Sequence, residues 1–257
     1  MPNWQPVTQD RHGHRHWRRA ADYHFAADRI VVPVAAAELS QVAVELPMAF
    51  LKTEQHYTLC VVLGFEPGHN LCVDVNGRWL VGYVPAALRA YPFGLGKTNE
   101  DQLTLCVDED SGLLTEPPDG EAFFSAPDEP AQTTKEALDF LAHTEQSRAA
   151  VVTLSAQLHE AGLIAPWPLE VTTSIGKQPV DGLYRIDVGA LDACPADTLK
   201  ALQQRGALSA AYAQLLSMQR VQRLAALAQR QAQAAQQHQG GLDFLGSDGS
   251  ITFDPLG

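Results

Sequence analysis

Tyr57–Val84, YTLCVVLGFEPGHNLCVDVNGRWLVGYV, is the stretch whose reading decides the fold. Tyr57–Phe65 is rich in valine and leucine and reads as a strand. Pro67-Gly68-His69-Asn70 makes a turn, and Leu71–Val75 returns as a second strand. Asn76-Gly77 is a tight-turn signal that reverses the chain into Arg78–Val84. Strands joined by short turns need no parallel crossover, so the sheet is expected to be antiparallel.

Working outward, Gln41–Leu46 alternates and reads as a strand, Met48–Lys52 is short and apolar, and Leu103–Val107 is a further strand. Pro85 suits the first turn of a short helix, Ala86–Ala90, closed by Tyr91-Pro92. Glu116–Pro130 is a proline-rich acidic loop and the expected internal boundary. Thr133 with Glu136 three residues later has the spacing of a capping box, predicting a helix to about Leu158 that Gly162 ends. Leu169–Ser174 and Gly182–Ile186 read as a second hairpin, and Asp197–Gln204 as a short helix. A long helix is expected from about Ser209 toward His238. Its apolar face (Ala211, Leu215, Met218, Val221, Ala225, Ala228) gives way to alanine, glutamine and arginine, so it should leave the core there.

The expected class is therefore α+β: an antiparallel β-sheet from the N-terminal half packed with helices from the C-terminal half, ending in a long C-terminal helix. The expected organisation is a basic arm at 1–29, a single α+β domain at 30–228, and a polar helical extension with a flexible tail at 229–257.

The 257 residues carry a net charge of −12, which argues against nucleic acid as the main partner, because phosphate contacts need a basic face. Every apolar run is interrupted well short of the roughly 18 to 20 residues a membrane helix needs. Ala20–Ala27, which follows the basic residues Arg11 to Arg19, holds Asp22 and His24 and lacks the apolar region of an export signal. A cytoplasmic location is the expectation. Cys60, Cys72, Cys106 and Cys194 form no CxxC pair, consistent with a reducing compartment. Charge is uneven: residues 11–19 hold four arginines and three histidines, and residues 100–130 hold no basic residue. The simpler reading is a solvated arm and a solvated acidic loop; attraction between the two is the alternative.

Arg78, Trp79, Tyr83, Arg89 and Tyr91 cluster around a turn and a short helix, with the composition of a binding hot spot. Asp108, Glu109 and Asp110 close a strand; an acidic turn is the favoured reading, acid–base or cation chemistry the alternative. These eight residues are the candidate site. Glu145 and Arg148, one helical turn apart, can pair with each other. His12, His14 and His16 alternate, but no carboxylate or cysteine sits at ligand spacing, so no metal is assigned. No nucleophile, phosphate-loop or dinucleotide motif is present, and no cofactor is expected.

Taken together, GRWLVGYVPAALRAYPF (Gly77–Phe93), LCVDEDSG (Leu105–Gly112), GLYRID (Gly182–Asp187), GALSAAYAQLLSM (Gly206–Met218) and RHWRRAADYHFA near the start resemble the bacterial SapC family over roughly residues 3–228. The family takes its name from surface-layer systems, and the unrelated SapC peptide-transport permease is a different protein. The resemblance implies an accessory role and supplies no catalytic residues. The expected function is a soluble, non-catalytic binding or accessory protein of a bacterial surface or nutrient-uptake system, engaging a protein partner or a small polar ligand. The alternative is an enzyme using residues 108–110 with Arg78 or Arg89. Self-association is left open.

Overall fold

The computed structural model describes residues 2–53, 56–97, 102–173 and 176–242. At its centre is a five-stranded antiparallel sheet in the order Ile164–Pro166, Leu183–Ile186, Met48–Lys52, Tyr57–Val62, Val31–Pro33. Successive side chains of a strand point to opposite faces, and here both faces are covered. Met48, Phe50, Leu59 and Val61 enter the main core, together with Val42, Val151, Leu158, Ala210 and Ala211 from the helices Leu39–Glu45, Gln132–Glu160 and Ala207–Ser217. Ala49, Val62 and Leu183 face the other way, onto Trp167 and, from the hairpin and the start of the C-terminal helix, Leu169, Val180 and Val221. The α+β class and the antiparallel sheet are as the sequence predicts, and helices dominate the C-terminal half.

Several elements differ from expectation. Gln41–Leu46 is not a strand: Gln41 to Glu45 belong to the helix Leu39–Glu45, and Leu46 follows it. Leu39, Val42, Ala43 and Leu46 are buried, a three/four spacing, whereas Val44, which suggested alternation, is 58% exposed. Leu71–Val75 and Arg78–Val84 do not form a ladder; one bridge, Val73 to Trp79, joins them. The Asn76-Gly77 turn is present: Gly77 has φ 76°, and Asp74 Oδ1 accepts the N–H groups of Asn76 and Arg78. Leu169–Thr173 pairs with Gly176–Val180, while Leu183–Ile186 joins the central sheet beside Met48–Lys52. The expected long helix is interrupted by a 3₁₀ turn at Met218–Arg220 before continuing as Val221–Leu242. The tail expected beyond it lies outside the described residues.

The N-terminal residues are not an arm. Trp4–Pro6 pairs with Leu103–Asp108, whose other neighbour is Phe93–Lys97, and His16–Trp17 lies between Leu114–Thr115 and Glu121–Ala122. These strands enclose a second core of Trp17, Phe93, Leu105, Val107 and Phe123, against which Ala137 and Leu141 of the long helix pack. The basic and acidic regions meet directly. Arg11 pairs with Glu109, Arg18 with Asp119, and Arg19 with Glu121. The solvated-arm reading fails because the two charged segments are adjacent strands and turns.

Candidate functional site

The short helix Ala86–Arg89 is fixed at both ends. The buried Glu38 carboxylate accepts the Ala86 N–H (2.8 Å) and the Tyr83 hydroxyl (2.8 Å) through Oε2, and the Ala35 N–H (2.9 Å) through Oε1. Burial and this hydrogen bond push the Tyr83 phenol up to about 12, so it remains a donor at any physiological pH. At the other end, Arg89 Nη2 donates to the Tyr83 hydroxyl (3.1 Å) and lies 3.8 Å from Glu38 Oε2. Its guanidinium sits 5.5 Å from the Tyr83 ring centre and 5.3 Å from that of Phe140. Two rings and one hydrogen bond thus hold Arg89 while leaving most of its N–H groups uncommitted among the described residues.

Tyr91 is held as firmly. Its ring stacks on Phe25 at 3.9 Å and 7°, and its hydroxyl donates to Asp108 Oδ2 at 2.9 Å. Asp108 is 3% exposed, and its Oδ1 accepts the N–H groups of Asn3 (2.8 Å) and Asp110 (3.2 Å). Burial, then the neighbouring carboxylate, raises the Tyr91 pKa above its ordinary value. Glu109 takes both ends of a fork from Arg11 and lies 3.4 Å from Nε2 of buried His12. His12 Nδ1 accepts the Thr8 N–H at 3.3 Å, and burial lowers its pKa. The acidic cluster therefore ties the N-terminal segment to the end of a strand.

Between the N-terminal segment, Leu88–Phe93 and the first turns of the long helix lies a cleft of about 310 Å³. Tyr23, Phe25, Tyr91 and Phe140 line it, with the buried Trp17 and Phe93; its charged residues are Arg19, Arg89 and Glu136. Of the eight residues singled out by sequence, Arg89 and Tyr91 line this cleft. Trp79 and Tyr83 pack against the main core, the Trp79 Nε1 donating to the Tyr83 carbonyl at 2.9 Å. Arg78 is exposed at the Asn76-Gly77 turn, and Asp108, Glu109 and Asp110 are not among the lining residues. Tyr83 meets Arg89 and Asp108 meets Tyr91, so the structure joins these residues in pairs.

Sequence reasoning missed Arg19, Tyr23, Phe25, Thr133, Glu136 and Phe140. The signal was present in the aromatic and basic run near the N-terminus, which reads as an arm when its strand pairing is unknown. Thr133 and Glu136, spaced like a capping box, do not cap: the long helix starts at Gln132 after Ala131, and both residues line the cleft. Glu145 and Arg148 pair at 2.6 Å, with side chains 37% and 39% exposed.

A second groove of about 620 Å³ runs between Leu39–Glu45 and Ala207–Ser217, lined mainly by apolar residues, with Val44, Tyr212 and Leu216 exposed along it. It lacks the convergence of held polar groups that marks the first. Burial pushes the Cys60 and Cys72 thiols up to about 12, so they are packing residues rather than nucleophiles.

The SapC family model matches residues 7–224. The chain belongs to the SapC family. No curated protein and no solved structure matches it. Every residue lining the aromatic cleft of this SapC-family chain falls inside the matched span.

Proposed function

We propose that this SapC-family protein is a non-catalytic binding protein that takes its ligand in the Arg89–Tyr91 cleft. The observation that carries this reading is a preorganised arginine beside a stacked aromatic pair in a concave site. The carboxylates an enzyme would have used support it further: Asp108 is bonded to Tyr91 and to backbone, and Glu109 to Arg11. An accessory role in a bacterial surface or nutrient-uptake system follows from the family's association. A cytoplasmic location is in keeping with the described residues, none of whose helices is long and apolar enough to cross a membrane.

The test is recovery of the natural ligand. Protein purified from its native host is denatured, and the released small molecules are identified by mass spectrometry. A compound recovered from the wild type, lost from Arg89→Gln, and returned unchanged after prolonged incubation with fresh protein is the expected result. Turnover of that compound would overturn the non-catalytic reading. Equal recovery from Arg89→Gln would remove the cleft from it.

A further inference from the structure

We infer that the cleft selects a small organic anion, an acidic group such as a carboxylate carried on a flat apolar body; this rests on the cleft being the binding site. The first argument is charge. The molecule carries −12 overall, and of the two arginines lining this cleft Arg19 is paired with Glu121, while Arg89 lies 3.8 Å from Glu38 Oε2 and keeps donor capacity for an acidic group.

The second argument is donor chemistry. Arg89 is held between Tyr83 and Phe140 with a single N–H committed to the Tyr83 hydroxyl among the described residues. Its planar fork matches a carboxylate, and little side-chain entropy remains to be lost when one arrives. A neutral apolar ligand would cover the guanidinium without pairing it, and a cation would oppose it.

The third argument is shape. Phe25 and Tyr91 are stacked within 7° of parallel, and the Tyr91 hydroxyl is committed to Asp108, so Tyr91 offers a ring and not a free hydroxyl. A flat ring suits that wall. A volume of about 310 Å³ is at the small end for ligand pockets, roughly 300–1,000 Å³, which fits a compact molecule rather than a long chain.

Three probes of one shape and different charge test this by calorimetric titration of the full chain: phenylacetate, phenylacetamide and phenethylamine. Phenylacetate is expected to bind about 10-fold or more tighter than phenylacetamide, and phenethylamine weakest, as one charge-assisted hydrogen bond implies. Arg89→Gln should erase that preference, weakening phenylacetate far more than phenylacetamide. Because Arg89 also touches Tyr83, the wild type gives an independent reading: raising salt from about 0.05 to about 0.5 M should weaken phenylacetate and spare phenylacetamide. Equal affinity for anion and amide, or a preference that survives Arg89→Gln and high salt, overturns the anion class and leaves the cleft as a site. Failure of all three probes to bind at about 10 mM, in the weak range even for fragments, overturns the cleft reading beneath it.

Discussion

Tyr91, Asp108 and His12 show how buried polar side chains join the N-terminal segment to the rest of the molecule. Tyr91→Phe removes the donor from Asp108 Oδ2 and leaves a buried carboxylate oxygen without its side-chain partner. A loss of about 1–3 kcal/mol in chemical denaturation is expected, with the ring stack on Phe25 retained. His12 gives a pH signature. Its folded pKa lies below the ordinary value of 6.5, chiefly through burial, with Glu109 partly offsetting that and Arg11 and Arg15 adding to it. Between the two pKa values the unfolded chain binds the extra proton. The stability His12 contributes is thus present above about pH 6.5 and is lost as pH falls through that value toward the folded pKa. His12→Phe should therefore melt with less dependence on pH between about 7.5 and 5.5 than the wild type; an equal dependence in both would show that His12 is not the group responsible.

At the scale of elements, the helix Ala207–Ser217 is stapled to the sheet by two side chains, Gln214 and Ser217, whose Oγ accepts the Met48 N–H at 2.9 Å. Gln214, fully buried, accepts the Ile186 N–H at 3.0 Å and donates to the Met48 carbonyl at 3.1 Å, bridging two neighbouring strands. Gln214→Leu would strand both backbone groups, and a loss of about 2–6 kcal/mol is expected from two buried unpaired groups. Gln231 does related work farther along, its Nε2 donating to the carbonyls of Leu71 (3.1 Å) and Val73 (3.3 Å). The C-terminal helix is therefore still engaged past Ala228, where its sequence suggests it leaves the core. Gln231→Ala should cost about 1 kcal/mol, and no change in melting would show that contact to be idle. Local patterns made the strands Met48–Lys52, Tyr57–Val62 and Leu103–Asp108 legible, together with the helix Ala86–Arg89. Gln41–Leu46 was not, because six residues fit both a two-residue and a 3.6-residue period. The Gln214 staple and the Thr133–Glu136 pair were hidden for another reason: their roles are set by what lies across the fold, which spacing within one helix does not encode.

Across the whole molecule, the long helix Gln132–Glu160 serves both cores, with Ala137 and Leu141 against Trp17 and Phe123, and Val151 and Leu158 in the main one. The chain also crosses between them, since Trp4 pairs with Asp108 while Val32 pairs with Val61. The two cores should unfold together, so transitions followed by far-ultraviolet circular dichroism and by tryptophan fluorescence should coincide. Separated midpoints would show the N-terminal core to be an independent unit. The cleft lies where the cores meet, lined by Leu88 from one and by Trp17 and Phe93 from the other. That position explains why only part of the candidate site was legible: Arg89 and Tyr91 share one short segment, whereas Arg19, Phe25, Glu136 and Phe140 arrive from distant parts of the chain. The most direct test of the account is a crystal structure of the protein purified with its natural ligand. The account predicts density between the Arg89 guanidinium and the Phe25–Tyr91 stack, with an acidic group on the arginine. Density in the groove between Leu39–Glu45 and Ala207–Ser217, with the aromatic cleft empty, would contradict it.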